Sequence, residues 1–247
     1  MKLSSIATHK IIPEESILGI LEKYLKYVPE CSVVAITSKI ISLCQNRVVS
    51  KKNISDKFEL VKQESDLYLE GDYSKKYGIC LTIKNKLLIP TAGIDESNGN
   101  GYYILYPENI QAEAAKIWEY LKQRHSLKQV GVLITDSHTT PLRRGVTGIM
   151  LGWCGFKPLR DYIGEPDIYG EKLRVTLGNV VDSLSASAVF MMGEGKEQTP
   201  IVLIEDLPQV TFQDRPPNPE EINSVSIALD DDLYAPLLQA VDWKVPA

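Results

Sequence analysis

A chain of 247 residues with 44% hydrophobic and 24% charged side chains has the make-up of a soluble globular protein, long enough for one large core or two small ones. A formal net charge of −5 excludes a broad nucleic-acid footprint, so any phosphate must be met by loop amides, a few cations or a bridging divalent ion. No apolar run approaches a membrane span and "MKLSSIATHKIIPEES" lacks the apolar centre of a signal peptide, so a cytoplasmic protein without a membrane partner is expected.

In chain order, Ile17, Leu21, Tyr24 and Val28 recur at helical steps after Pro13, which predicts a helix from Glu14. "SVVAIT" (32–37) is a strand, and Ser38 and Lys39 open a short helix behind it. A helix is expected over 56–70, then a hairpin from "GICLTIK" (78–84) and "KLLIP" (86–90) turning near Asn85. From Asn109, the residues Ile110, Ala114, Ile117 and Leu121 mark a helix whose last turn gathers Lys, Arg and His. "QVGVLIT" (129–135), "KLRVTL" (172–177), "PIVLIE" (200–205) and "VTFQ" (210–213) are further strands. A small apolar stretch reads as a buried helix capped by Asn179 and ended near Gly193. A Pro-rich loop (213–221) and a short closing helix within 229–243 finish the chain. Helices and strands do not alternate regularly, so the expected class is α+β, with mixed or antiparallel sheets and flanking helices. The scattered Cys31, Cys44, Cys80 and Cys154 read as small buried hydrophobes, not as disulfides or zinc ligands.

Four polar clusters interrupt the apolar pattern. "TAGIDESNGNGYY" places Asp95, Glu96, Ser97 and Asn98 beside two glycines, as a ligand loop or an ordinary turn would. In "LITDSHTTPLRRG", Asp136 stands at the mouth of a strand, followed by the Ser137 hydroxyl, as in proteins that hold Mg²⁺ or Mn²⁺ near phosphate; Arg143 and Arg144 offer a clamp for phosphate or carboxylate, against the alternative of a solvated turn. "MMGEGKEQTP" has glycines that free backbone amides around Lys196, but taken alone a helix C-cap turn explains it better, and no Walker A spacing is present. Ser38 and Lys39 offer a hydroxyl and an ammonium at a helix start, or merely a cap. His138 lies inside the second cluster, whereas His9 and His125 read as surface residues. No zinc-hydrolase or triad spacing is found. Jointly, Asp95, Asp136 and Glu194 are able to converge on a divalent cation, with lysines and arginines balancing the rest of a nucleotide's charge.

The blocks "VVAITSKIIS", "NRVV", "AGIDESN", "LITDS…PLRRG", "DYIGEPDIYGEKLRVT" and "MGEGKEQTP", in this order over nearly the whole chain, resemble the coenzyme F-420 gamma-glutamyl ligase family, and within it a bacterial branch assigned to folate metabolism. The resemblance implies one ligase-like domain over 1–247 with a larger and a smaller lobe, paired as an intertwined homodimer. It implies attachment of L-glutamate to a cofactor-type carboxylate, folate or deazaflavin, with Mg²⁺ or Mn²⁺ and GTP (or ATP) as co-substrate, through an acyl phosphate. Residue by residue, it implies metal ligands at Asp95, Asp136, Ser137 and Glu194. It implies nucleotide contacts at Ser38, Lys39, Asn98 and the loop Met192, Gly193, Glu194, Gly195, Lys196, Glu197, Gln198 and Thr199. Lys39, Arg143 and Arg144 would stabilise and orient the reacting groups. The chain departs from the family pattern at Leu43, where a lysine is usual, at Glu194, where glutamine is usual, and at Ser137–Thr140, where a Gly-Arg pair is lost. Two alternatives stand beside this function: a metal-dependent phosphotransferase or nucleotide hydrolase, and a non-catalytic nucleotide-binding dimer.

Overall fold

The computed structural model describes residues 1–71 and 78–246. Five strands, β1 (Lys2–Ile6), β2 (Ser32–Thr37), β8 (Val130–His138), β9 (Thr147–Cys154) and β12 (Ile201–Glu205), form the central sheet in the order β1–β12–β2–β8–β9. Only β2 and β8 run parallel; the other neighbours are antiparallel. In mid-sheet β2 is buried on both faces, which is why its sequence is continuously apolar instead of alternating. Its Val34 and Ile36 join one core layer and its Val33 and Ala35 the other. The first layer is covered by α1 (Ile17–Tyr24), α2 (Ser38–Cys44) and α4 (Ile110–His125), the second by α5 (Val180–Met192). Helix α5 lies so close to β9 that a Cβ on Gly148 would stand 2.2 Å from the Ser185 carbonyl oxygen.

A smaller lobe packs around Leu60, Val61, Cys80, Ala92, Ile94 and Leu105. It contains α3 (Lys57–Glu64), the pair β3 (Val48–Ser50) and β7 (Tyr102–Ile104), and the sheet β4 (Leu67–Tyr68), β5 (Leu81–Lys84) and β6 (Leu87–Pro90). The β5–β6 hairpin turns on Asn85 and Lys86, both left-handed at φ 51° and 62°, the backbone that a tight two-residue turn between twisted strands requires. An exposed arm holds β10 (Leu159–Asp161) against β11 (Leu177–Asn179). The C-terminal segment carries α6 (Pro219–Ser224) and α7 (Ala235–Leu238) and returns to the small lobe, where Lys244 pairs with Tyr68.

The mixed sheets with flanking helices agree with an α+β class. Several boundaries differ from expectation for physical reasons. Helix α1 starts at Ile17, because Ser16 Oγ accepts Gly19 N and caps it there, while Glu14 is left-handed at φ 68°. The helix expected over 56–70 stops at Glu64, since Tyr68 then pairs with Thr82 of β5. Of the stretch 172–177 only Leu177 is strand, as the first residue of β11; the rest meets the arm by isolated bonds such as Gly164 N to Leu173 O (2.9 Å), and 210–213 contributes only the bridge of Phe212 to Phe156. The loop expected over 213–221 instead starts α6, because Asn218 and Glu221 form a reciprocal capping box. No disulfide links the cysteines, and Cys80 and Cys154 are buried as expected, whereas Cys31 is exposed. No helix of the described residues is long and apolar enough to cross a membrane.

Candidate active site

The two lobes meet at a cleft of about 720 Å³. Each wall is delivered by a terminus of regular structure. Strand β2 ends at Thr37 and α2 begins at once, so Lys39 projects from the first turn into the cleft, while Ser38 beside it is buried and not part of the lining. The small lobe contributes Asp95 and Asn98 from the loop after β6. Strand β8 runs on through Asp136 and Ser137, which are held by pairing with Ile149 and Gly148 of β9; they are strand residues, not members of a surface turn. Helix α5 ends at Gly193, whose φ of 74° and N–H bond to Val189 O turn the chain into the loop Gly193–Thr199.

Polar contacts knit these pieces together. Lys39 Nζ lies 2.5 Å from Asp95 Oδ2 and donates to Ser97 Oγ at 3.1 Å. Asp95 Oδ1 accepts from Ser97 N (2.6 Å) and Ser97 Oγ (2.8 Å). Asn98 Nδ2 donates across the cleft to Gly195 O at 2.9 Å, and Ser137 Oγ lies 3.4 Å from Glu194 Oε2. Loop 193–199 is internally braced by Gly195 N to Glu197 Oε2 (2.8 Å) and Thr199 Oγ1 to Met192 O (2.8 Å).

The three carboxylates are inequivalent. Burial raises the Asp95 carboxyl, but Lys39 and the Ser97 bonds outweigh it and hold it below the usual range. Burial pushes Asp136 up to about 6 against the opposing pull of the Tyr106 hydroxyl and Ser137 N, and the charge of Asp95 adds to the rise. Glu194 is likewise raised by burial, with Asp95 and Glu197 adding to it. Perturbed acids gathered in a cleft are a mark of a functional site. A family model described as F420-0:Gamma-glutamyl ligase matches residues 5–206.

The chain belongs to this family. It is similar to the coenzyme F420:L-glutamate ligase of Methanosarcina mazei, with 39% identity over 117 residues, 47% of this chain and 46% of the relative. It is similar to the enzyme of that name from Halobacterium salinarum, with 40% identity over 116 residues (47% and 44%), and to that of Methanopyrus kandleri, with 35% over 130 residues (52% and 51%). The chain spans about half the length of the curated relatives it matches. The gamma-glutamyl ligase match ends just after β12, so the segment carrying α6 and α7 lies beyond it.

Of the residues singled out in sequence, Lys39, Asp95, Asn98, Asp136, Ser137 and Met192 through Thr199 line the one cleft. Arg143 and Arg144 do not: they are exposed on the loop joining β8 to β9. His138 also stands off the lining. His9 is not a plain surface residue, since it lines the cleft, bonds Tyr24 OH through Nδ1 (2.8 Å) and Glu15 through Nε2 (2.7 Å), and stacks on the Tyr24 ring. It belongs to a wall, Thr8–Pro13, that sequence reasoning missed; Thr8 N bonds Gln198 O at 3.1 Å and Gln198 Nε2 bonds Thr8 O, a pairing of residues 190 apart. Asp95, Asp136, Glu194 and the Ser137 hydroxyl are hard oxygen donors, and the charge of Asp95 raises the proton affinity of both Asp136 and Glu194; such a set fits a divalent cation in its chemistry. No group of three His, Cys, Asp or Glu side chains closes into a metal cage among the described residues, and the Lys39 ammonium stands against Asp95 instead.

Proposed function

We propose that this chain is a nucleotide- and divalent-metal-dependent gamma-glutamate ligase that joins L-glutamate to a carboxylate of a cofactor-type acceptor, folate-like or deazaflavin, through an acyl phosphate. The observation that carries the reading is the meeting of Lys39, Asp95, Asn98, Asp136, Ser137 and the Gly193–Thr199 loop in one cleft of about 720 Å³, in a member of the gamma-glutamyl ligase family. That space is in the range of small-molecule and cofactor sites. In the reaction, an acceptor carboxylate oxygen attacks the γ-phosphorus of GTP or ATP and the nucleoside diphosphate leaves. The glutamate amine then attacks the acyl carbon, phosphate leaves, and the amine loses a proton.

The chain's residues supply binding and charge. The loop after α5, with the ammonium of Lys196, lines the cleft and would receive the triphosphate, with Asn98 bridging to it from the opposite side. Lys39 offsets charge that develops on the transferred group. Asp95, Asp136, Ser137 and Glu194 would hold Mg²⁺ or Mn²⁺, which when bound neutralises phosphate oxygens. Arg143 and Arg144 stand off the cleft lining, on the exposed loop joining β8 to β9. The homodimer belongs to the same proposal: Ile168, Tyr169 and Val175 on the β10–β11 arm and Phe190 on α5 are almost fully exposed, as apolar groups awaiting a second copy would be.

Mass spectrometry of mixtures holding the protein, L-glutamate, Mg²⁺, GTP or ATP, and a folate or deazaflavin acceptor tests the proposal. The expected product is the acceptor plus one glutamyl unit, formed only with nucleotide. Nucleotide consumption independent of glutamate would instead identify a hydrolase or phosphotransferase, and binding without turnover a non-catalytic protein.

A further inference from the structure

The turn that precedes Asp95 has an unusual backbone. Thr91, Ala92 and Gly93 are consecutively left-handed, at φ 53°, 52° and 71°, a conformation that side-chain-bearing residues avoid unless their surroundings enforce it. The enforcement is visible. Thr91 N bonds Cys80 O at 2.6 Å, Ala92 N bonds the buried Thr82 Oγ1 at 2.8 Å, and that hydroxyl donates in turn to Ile89 O at 2.6 Å. Ile94 N closes back on Thr91 O at 2.9 Å.

The remaining restraint is Tyr106. Its ring is 4% exposed and lies directly over Gly93, where any Cβ would come within 2.2 Å of the ring atoms. Its hydroxyl faces the Asp136 carboxylate on β8 closely enough for the two groups to perturb each other's titration. Its carbonyl accepts from Arg47 Nε at 3.1 Å, and the same guanidinium pairs with Glu64 at 2.7 Å, which anchors the residue from behind. Tyr106 is not part of the cleft lining. One rigid side chain therefore touches both the left-handed turn two residues before Asp95, on the small lobe, and Asp136, on the large one.

We infer that Tyr106 is a positioning residue that fixes the Asp95 and Asp136 carboxylates relative to one another for a divalent cation, by facing Asp136 with its hydroxyl and bracing the Thr91–Gly93 turn with its ring. The inference rests on the metal-dependent ligase reading above. Partners behind metal ligands of this kind govern affinity by ten- to hundredfold. Glycine at 93 follows from the same arrangement, since a side chain there would drive the ring away from Asp136.

Titration of the intact protein with Mn²⁺ alone, following free ion by electron paramagnetic resonance, tests this together with melting curves. Tyr106→Phe keeps the ring and removes only the hydroxyl. It should bind Mn²⁺ about tenfold more weakly than the parent, with a melting temperature lowered only by the few degrees that one lost buried hydrogen bond costs. Asp136→Asn should weaken binding at least as much, and the double variant no more than Asp136→Asn, because the hydroxyl acts through that carboxylate. Parental affinity in Tyr106→Phe beside weakened binding in Asp136→Asn overturns the role of Tyr106 while leaving the metal site standing. Parental affinity in Asp136→Asn overturns the metal site itself. A Tyr106→Phe protein that melts well below the parent overturns positioning in favour of a structural role.

Discussion

Lys39 occupies the position that a cation must share if Asp95 is to hold a metal. Its ammonium is 2.5 Å from Asp95 Oδ2 and 3.1 Å from Ser97 Oγ, with side-chain exposures of 24% for Lys39 and 36% for Asp95. Replacement by methionine keeps the aliphatic stem and deletes the charge. Exposed pairs contribute about 0–1 kcal/mol, and breaking a fully buried one costs about 3–5 kcal/mol, so this half-buried pair should cost about 1–2 kcal/mol. In a chain of this size that lowers the melting temperature by about 2–8 °C. The second effect has the opposite sign. Without its ammonium, Asp95 is free to receive a divalent ion, so Mn²⁺ affinity in the absence of nucleotide should rise several-fold, while glutamate-dependent nucleotide turnover falls by about a hundredfold or more for want of a charge at the transferred group. Calorimetric Mn²⁺ titration, thermal melting and a coupled phosphate assay on the Lys39→Met protein measure all three. Unchanged melting together with unchanged or weakened Mn²⁺ binding would refute the view that Lys39 stands in for a metal at Asp95.

Other expectations are equally direct. Asn98→Gly, chosen because φ is 54° there, removes the bond to Gly195 O and should weaken nucleotide binding about fivefold in calorimetry without changing the fold. Gly148→Ala forces a Cβ onto the Ser185 carbonyl and should destabilise the protein by about 3 kcal/mol in denaturant unfolding, loosening the helix that carries the 193–199 loop. Glu221 is held at about 2, chiefly by its bond to Arg215, so its folded value lies below the unfolded one: its contribution is full above about pH 4.5 and is lost as pH falls toward 2. With Arg215 half exposed, that contribution is about 1 kcal/mol, and Glu221→Gln should melt lower than the parent at pH 7 and converge with it near pH 2.

The parts of the site that were legible in sequence are those set by local rules. Asn179 and Gly193 mark both ends of α5, so the loop that follows was placed correctly, and the apolar run of β2 put Lys39 at a helix start. What was not legible depends on contacts between distant segments. Strand β9 reads as an apolar run broken by glycines, and with its partner unseen β8 seemed to end at Thr135, which left Asp136 on a supposed turn. Nearness in sequence then suggested that Arg143 and Arg144 accompany Asp136, but the loop carries them away as β8 leaves the cleft. The wall Thr8–Pro13 and the buried Tyr106 give no local signal; one is recruited by Gln198, the other by Asp136 on a different lobe.

A crystal soaked with Mn²⁺ and a non-hydrolysable GTP analogue, with anomalous scattering recorded at the manganese edge, tests the central claim. The account predicts a manganese peak coordinated by carboxylate oxygens of Asp95 and Asp136, with the triphosphate lying along Gly193–Thr199. Nucleotide and metal bound elsewhere, or a cleft that takes up neither while those carboxylates keep their present partners, would contradict it.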